Sequence, residues 1–147
     1  MNYEFLFYRL RNVRENNNLT QKEVADKLNI SRPNYTRWET KEKIIPLRKL
    51  NAFCNLFNVS MDYIVGLSNT NSKINYNKEL DLNVVSERLK KVRKHLNLTQ
   101  QNLADFLQCD RSIISDYENG VTLILTSFAI QICNKYNISL DWLCGRK

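Results

Sequence analysis

Glycine and proline are scarce in this chain, which has three glycines and two prolines among its 147 residues. A fold made of many short strands needs these residues at its turns, so their scarcity favours helices over an all-β fold. The chain also lacks any apolar run close to the ~18 residues of a transmembrane helix. Its first residues, MNYEFLFYRLR, do not follow the plan of a signal peptide. We therefore expect a helical, cytoplasmic protein with no membrane partner.

Residues that could support catalysis or bind a metal ion are also few. The chain has one histidine, His95, and neither Cys109 nor Cys144 stands in a C-x-x-C spacing, so no zinc site is expected. No nucleophile is paired with a base, and no glycine-rich phosphate loop is present. We therefore expect no enzyme and no cofactor. The four cysteines, Cys54, Cys109, Cys133 and Cys144, are predicted to be buried, reduced thiols.

Basic residues outnumber acidic ones by 22 to 15, which gives a net charge of +7. The excess is +4 over residues 1–68, +1 over residues 69–80 and +2 over residues 81–147. Such a charge indicates a modest preference for polyanions, and the preference is strongest in the first half of the chain.

One sequence pattern occurs twice, 79 residues apart. Residues 19–39 read LTQKEVADKLNISRPNYTRWE and residues 98–118 read LTQQNLADFLQCDRSIISDYE. The same offset holds without insertion from Arg9 and Arg88 to Gly66 and Gly145, and about a third of the aligned residues are identical. Two such copies predict two domains rather than a solenoid. We place them at residues 1–67 and 83–147, joined by a polar linker at 68–82.

Each copy of the pattern predicts two short helices that meet at a sharp turn. Apolar residues recur at helical spacing in both halves. Thr20 is a suitable N-cap for the first of these helices, and Glu23 completes a capping box. Ser31 suits the start of the next helix, where Pro33 is tolerated because N–H groups in the first turn need no intrahelical partner. The short connection between them is typical of a helix-turn-helix.

Further helices are predicted on both sides of this unit in each copy. Apolar periodicity and capping residues place them at residues 6–17, 47–57 and 60–66 in the first copy, and at 83–96, 126–136 and 139–145 in the second. The predicted fold class is therefore all-α, with two tandem five-helix domains.

The two copies share residues that resemble a known family. These are Thr-Gln at the start of the second helix, alanine five residues after that threonine, an aromatic residue and glutamate at the end of the third helix, and a final S-x-D-Y/W-x-x-G. This set resembles the phage-repressor (Cro-type, or xenobiotic-response-element) helix-turn-helix family over about four fifths of the chain. The resemblance implies lambda-repressor-like domains in which the third helix lies in the DNA major groove.

The resemblance also implies which residues contact DNA and which are structural. In the first copy the candidate DNA contacts are Thr20, Gln21, Arg32, Pro33, Asn34 and Arg37, with Lys41 and Lys43 suited to phosphates in the following loop. In the second copy they are Thr99, Gln100, Arg111, Ser112 and Asp116. The glutamines would bond phosphates and the third-helix residues would face the groove. Two buried ion pairs, Arg14–Glu39 and Arg93–Glu118, are implied as structural.

The chemistry of the third helix supports the same interpretation in the first copy. Arginine presents two parallel donors to guanine O6 and N7, so Arg32 and Arg37 suit base recognition. The alternative is that they are ordinary solvated side chains, and we favour DNA contact because they follow a serine cap in the third helix.

The second copy differs in charge. Its third helix carries Asp116 and follows Asp110, and the loop after it has no lysine or arginine. That loop instead contains Val121, Leu123, Ile124 and Leu125. One hypothesis is that these residues form a dimer or partner surface. Packing inside their own domain explains them equally well.

The sequence therefore predicts a sequence-specific regulator that binds double-stranded DNA, most often a repressor in this family. Two tethered copies could read two half-sites about 34 Å apart, or the second copy could form a homodimer while the first copy reads DNA. The alternative is a protein-interaction module, such as an antitoxin or anti-regulator, whose helix-turn-helix domains hold a protein.

Overall fold

The computed structural model describes residues 3–147, and all the regular secondary structure in that range is helical. The chain divides into two compact units with the boundary between Glu79 and Leu80. The predicted all-α fold of two tandem helix-turn-helix domains is confirmed. No helix within residues 3–147 is long and apolar enough to cross a membrane.

Each unit contains five helices in the same order. In the first unit they are α1 (Glu4–Asn16), α2 (Gln21–Lys27), α3 (Arg32–Glu39), α4 (Leu47–Phe57) and α5 (Met61–Ile64). In the second unit they are α6 (Leu82–His95), α7 (Gln100–Leu107), α8 (Arg111–Glu118), α9 (Thr126–Tyr136) and α10 (Leu140–Leu143).

The helix starts follow the capping residues that the sequence predicts. The Thr20 hydroxyl accepts from the Glu23 N–H and the Glu23 carboxylate accepts from the Thr20 N–H, which completes the capping box of α2. Thr99 and Asn102 form the equivalent box on α7. Ser31 caps α3, whereas Asp110 makes no side-chain capping bond to α8. Each such cap contributes about 1 kcal/mol, so α8 begins with one fewer local constraint than α3.

Aromatic and aliphatic side chains from all five helices fill the core of each unit. In the first unit Tyr35 and Trp38 are both buried and meet edge to face, with ring centroids 5.7 Å apart. Ile114 and Tyr117 occupy the equivalent buried positions in the second unit. Cys54, Cys133 and Cys144 are buried thiols, but Cys109 is only half-buried, so the prediction of burial is wrong for that residue.

One arginine in each unit ties the first helix to the fifth. The Arg9 guanidinium donates to the carbonyls of Tyr63 and Ser68 and lies over the Tyr63 ring, 4.3 Å from its centroid. Arg88 makes the corresponding bonds to the carbonyls of Trp142 and Lys147. The guanidinium therefore satisfies backbone acceptors at the end of the short fifth helix and in the residues that follow it, where no further turn of helix can do so.

The segment after α5 has no regular structure but is bonded to the first unit. The Asn71 side chain accepts from the Ser60 N–H at 3.2 Å, and the side-chain amides of Asn51 and Asn55 both donate to the Lys78 carbonyl at 2.9 Å. This segment falls within the linker predicted at 68–82, and α6 begins at Leu82. The domain bounds of 1–67 and 83–147 stay a prediction.

Candidate nucleic-acid interface

The third helix of the first unit separates a core face from an exposed face. Tyr35 and Trp38 are buried, whereas Arg32, Pro33 and Asn34 are exposed. Residues three or four apart lie on one side of a helix, so burying Tyr35 and Trp38 leaves the other side of α3 to solvent. Helix α2 packs against α3, which fixes the direction in which the exposed face points.

Arg37 lies at the far end of this exposed face and has only weak partners. Its Nη1 is 3.4 Å from the Asn34 Oδ1, and its Nε is 3.7 Å from the Glu42 carboxylate. Exposed ion pairs of this kind contribute about 0–1 kcal/mol, so little opposes the transfer of Arg37 to another acceptor. Arg37 and Asn34 together present guanidinium and amide donors on one surface.

The two loop lysines differ in their surroundings. The Lys41 ammonium pairs with the Glu4 carboxylate at 2.6 Å, and both side chains are more than half exposed. Lys43 is exposed, and its backbone N–H donates to the Arg37 carbonyl at 3.1 Å. The loop is thus attached to the end of α3, which places Lys43 beside the exposed face.

Both ion pairs that the family resemblance implies are present in the structure. Arg14 and Glu39 share two parallel hydrogen bonds of 2.8 and 3.0 Å, and Arg93 and Glu118 share two of 2.6 and 2.9 Å. The Arg14 Nη1 also donates to the Leu19 carbonyl at 2.8 Å. The Arg93 Nη1 makes the matching bond to the Leu98 carbonyl at 2.8 Å. Each pair therefore joins the first helix, the segment before the second helix and the end of the third helix.

Glu39 is charged although its side chain is almost fully buried. Burial alone would raise the pKa of the Glu39 carboxyl, but the Arg14 guanidinium, the nearby Tyr35 hydroxyl and the Gln21 amide hold that pKa below its usual value. The Tyr35 hydroxyl lies close enough to Glu39 for burial and this carboxylate to raise the pKa of Tyr35. It is nevertheless a buried hydroxyl that makes no hydrogen bond of acceptable geometry.

The glutamines that begin α2 and α7 bond to the glutamates of these ion pairs. The sequence analysis did not predict these bonds. The Gln21 Nε2 donates to the Glu39 carboxylate at 3.1 Å, and the Gln100 Nε2 donates to Glu118 at 3.2 Å. A side-chain amide has two N–H donors, so one remains for a DNA phosphate. Thr20 and Thr99 use their hydroxyl oxygens as caps and keep a hydroxyl hydrogen to donate.

The oxygen of each glutamine has a different partner in the two units. In the first unit the Thr36 hydroxyl donates to the Gln21 Oε1 at 2.9 Å. In the second unit the Arg111 guanidinium donates to the Gln100 Oε1 at 3.3 Å. The Arg111 guanidinium is therefore drawn towards the start of α7, although Arg111 stays exposed, as Arg32 does at the equivalent position of α3. Thr36 is a supporting residue that the sequence analysis did not single out.

The exposed face of α8 carries a different set of side chains. Arg111, Ser112 and Asp116 are exposed, and Ile113 is half-buried where the first unit has Asn34. This face therefore has one cation against one carboxylate, and an apolar side chain replaces an amide.

Only some of the apolar residues in the loop after α8 are exposed to solvent. Val121 and Leu125 are 64% and 56% exposed, and Leu123 is half-buried. Ile124 is buried, with 3% exposure, as is Ile45 at the equivalent place in the first unit. The prediction that Ile124 belongs to a surface is wrong, because this residue fills the core. The identity of Ile45 and Ile124 across the repeat was the signal for that role.

Two sequence families match this chain, one in each unit. The family described as "Helix-turn-helix" matches residues 10–64, and the family described as "Helix-turn-helix domain" matches residues 86–146. These ranges contain α2 with α3 and α7 with α8.

Curated relatives match one or both units. The HTH-type transcriptional regulator ImmR of Bacillus subtilis (strain 168) is 29% identical over 79% of this chain and 91% of its own length. The uncharacterized HTH-type transcriptional regulator YobD of the same strain is 40% identical over 41% of this chain and 54% of its own. The cryptic phage CTXphi transcriptional repressor RstR of Vibrio cholerae serotype O1 is 36% identical over 42% of this chain and 55% of its own.

The chain thus spans about half the length of YobD and RstR and most of the length of ImmR. No solved structure gives a significant match.

Proposed function

We propose that this chain, in which each unit matches a helix-turn-helix family, is a sequence-specific DNA-binding transcriptional regulator of the phage-repressor type that acts as a repressor. In this proposal α3 of the first unit enters the major groove. Arg32, Asn34 and Arg37 contact base edges, and Gln21 and Lys43 contact phosphates.

The observation that carries the proposal is the exposed face of α3. Arg32 and Asn34 are solvent-exposed, Arg37 has only weak partners, and Tyr35 and Trp38 anchor the opposite side of the helix. Arginine donors pair with guanine O6 and N7, and asparagine pairs with adenine N6 and N7. A helix held rigidly by its core face, with these donors outward, can therefore distinguish base pairs.

Helix α2 supplies the positioning contacts in this proposal. Its first residue, Gln21, is bonded to Glu39 and Thr36, and one amide N–H remains for a phosphate. The helix N-terminus adds backbone N–H groups and a partial positive charge, which also favour a phosphate. The phosphate contact and the base-reading helix are thereby held in one hydrogen-bonded unit.

The second unit is proposed to have a different task, dimerisation or partner binding. Its α8 face is close to neutral, and Arg111 is bonded to Gln100. Val121 and Leu125 expose apolar side chains after α8 where the first unit has Glu42 and Pro46. Without Ile124 the candidate surface is small, so these residues would form only part of an interface.

A protein-interaction role, as in an antitoxin or anti-regulator, is the weaker alternative. Most of the relatives that match are named as transcriptional regulators or a repressor, and one is named as an antitoxin. The alternative requires poor DNA affinity and a stable complex with another protein.

A pull-down of fragmented genomic DNA followed by sequencing tests the proposal. We expect the intact chain to enrich one short motif and Arg32→Ala/Arg37→Ala to lose that enrichment. Arg11→Ala/Lys73→Ala is a control of equal charge, because both side chains are exposed and lie outside α2 and α3. Failure of the intact chain to enrich any motif at low salt would contradict the proposal and favour the protein-interaction role.

A further inference from the structure

An open groove lies in the second unit on the side formed by α6 and α10. It has a volume of about 770 Å³. Its apolar wall includes Val92, Leu96, Ile138 and Trp142, and Lys91 and His95 stand on α6 at its edge. Volumes of ~300–1,000 Å³ with mostly apolar walls and a few polar groups are typical of small-molecule sites.

The repeat shows that the corresponding wall of the first unit is covered. Val13, Val59 and Ser60 are all buried, whereas their equivalents Val92, Ile138 and Ser139 are only half-buried. In the first unit the segment after α5 reaches this place, where the Asn71 side chain accepts from the Ser60 N–H. The same five-helix scaffold therefore presents this wall covered in one unit and open in the other.

The edge of the groove differs in charge between the two units. Lys91 and His95 in the second unit correspond to Asn12 and Asn16 in the first. The edge of the covered wall in the first unit therefore has neutral residues, and the edge of the open groove in the second unit has basic ones. None of the residues that line the groove is acidic.

We propose that this groove binds a small organic anion with an apolar body, such as an aryl or alkyl carboxylate. The apolar body lies against Val92, Leu96 and Trp142, and the carboxylate lies beside Lys91 and His95. A single molecule of this class fits the volume, and the basic edge selects the anion over a neutral analogue of the same shape.

The probe is 1-naphthaleneacetate, and 1-naphthaleneacetamide is its uncharged match. The two tryptophans report on the two units separately, because Trp38 is in the first unit and Trp142 lines the groove. Each ligand is titrated into the full ¹⁵N-labelled chain at low salt, and the indole N–H resonances are followed by NMR. No DNA is present, so the result is independent of the proposed DNA reading.

We expect 1-naphthaleneacetate to shift the Trp142 resonance with a Kd below about 1 mM and to leave the Trp38 resonance unchanged. The amide should bind at least about fivefold more weakly. Lys91→Glu should weaken acetate binding by a similar factor and leave amide binding unchanged. Lys90→Glu, an exposed change on the opposite side of α6, should alter neither.

Three results would overturn the proposal. If the Trp142 resonance does not shift at 1-naphthaleneacetate concentrations up to about 2 mM, the groove does not bind this class of ligand. Equal affinities for 1-naphthaleneacetate and 1-naphthaleneacetamide would show that the basic residues at the edge do not select the anion. Equal shifts of Trp38 and Trp142 would show adsorption without a site.

Discussion

The side-chain amide of Gln21 donates a hydrogen bond of 3.1 Å to the carboxylate of Glu39, and the repeat places the same bond between Gln100 and Glu118. Glu39 ends α3 and Gln21 begins α2, so this bond joins the two helices of the helix-turn-helix. A residue proposed to touch a phosphate is therefore also part of the network that positions the reading helix.

Replacing Gln21 should weaken DNA binding without changing sequence preference. Gln21→Ala removes a phosphate donor, and phosphate contacts position the protein but carry no base information. We expect an affinity loss of about fivefold to tenfold that is equal for the preferred motif and for its single-base variants. Fluorescence anisotropy titrations at fixed salt measure the affinity for the motif and for each variant, with Gln101→Ala, an exposed glutamine that bonds to Asp105 within α7, as the control. A change confined to one base position would show that Gln21 reads sequence.

Breaking the Arg14–Glu39 pair should destabilise the first unit at neutral pH. Glu39→Gln leaves the Arg14 guanidinium buried without its counter-charge, which costs about 3–5 kcal/mol. Urea unfolding followed through the indole N–H resonance of Trp38 in NMR spectra measures this loss in the first unit. Asp26→Asn is the control, because the Lys22–Asp26 pair is exposed and contributes at most about 1 kcal/mol.

The same variant should show a pH dependence of known sign. The pKa of Glu39 is lowered in the folded state. The contribution of its charge to the free energy of unfolding is therefore fully present above the unfolded-state pKa of about 4.3, and it disappears as the pH falls through the lower folded-state pKa. The stability difference between wild type and Glu39→Gln should therefore shrink when pH is lowered from 7 to below 4. A difference that stays constant over this range would contradict the proposed role of the charge.

Removing the Tyr35 hydroxyl should not destabilise the first unit. This buried hydroxyl makes no hydrogen bond of acceptable geometry, and the second unit has apolar Ile114 at the same position. We expect Tyr35→Phe to leave the free energy of unfolding unchanged or to raise it by up to about 1 kcal/mol. Urea unfolding measures this change, with Tyr63→Phe as the comparison. A loss of 2 kcal/mol or more would mean that the hydroxyl is satisfied in solution.

Much of the fold follows from short-range signals in the sequence. Thr20 with Glu23 and Ser31 mark helix starts because an N-cap depends on only three or four neighbouring residues. The repeat then transfers each assignment to the second copy. The bonds from Asn51 and Asn55 to Lys78 are different, because these residues lie more than 20 positions apart in sequence. No periodicity predicts such contacts.

The candidate site was predictable in its residues but not in its connections. Arg32 and Arg37 stand out by residue type and by position in the third helix. The inward bond of Gln21, the bond from Arg111 to Gln100 and the burial of Ile124 depend on tertiary packing. A loop of four apolar residues gives no sign of which side chain enters the core, except where the equivalent residue in the other copy is identical.

Self-association through the second unit should depend on two exposed side chains. Val121→Lys/Leu125→Lys introduces charge on a surface and should reduce the mass of the protein measured by analytical ultracentrifugation if that surface is an interface. Ile124→Ala should instead destabilise the second unit by about 2 kcal/mol or more, because it leaves a cavity in the core. An unchanged mass in the double lysine variant would rule out this surface as the dimer contact.

Base recognition by Arg37 is the central claim, and equilibrium binding to the selected motif tests it most directly. Wild type and Arg37→Ala are each titrated with that motif and with variants that change one base pair at a time. The account predicts that wild type discriminates by about 1–3 kcal/mol at one guanine and that Arg37→Ala loses discrimination at that position alone. A uniform loss of affinity at every position would contradict it, because Arg37 would then contact the backbone and α3 would not read sequence through this residue.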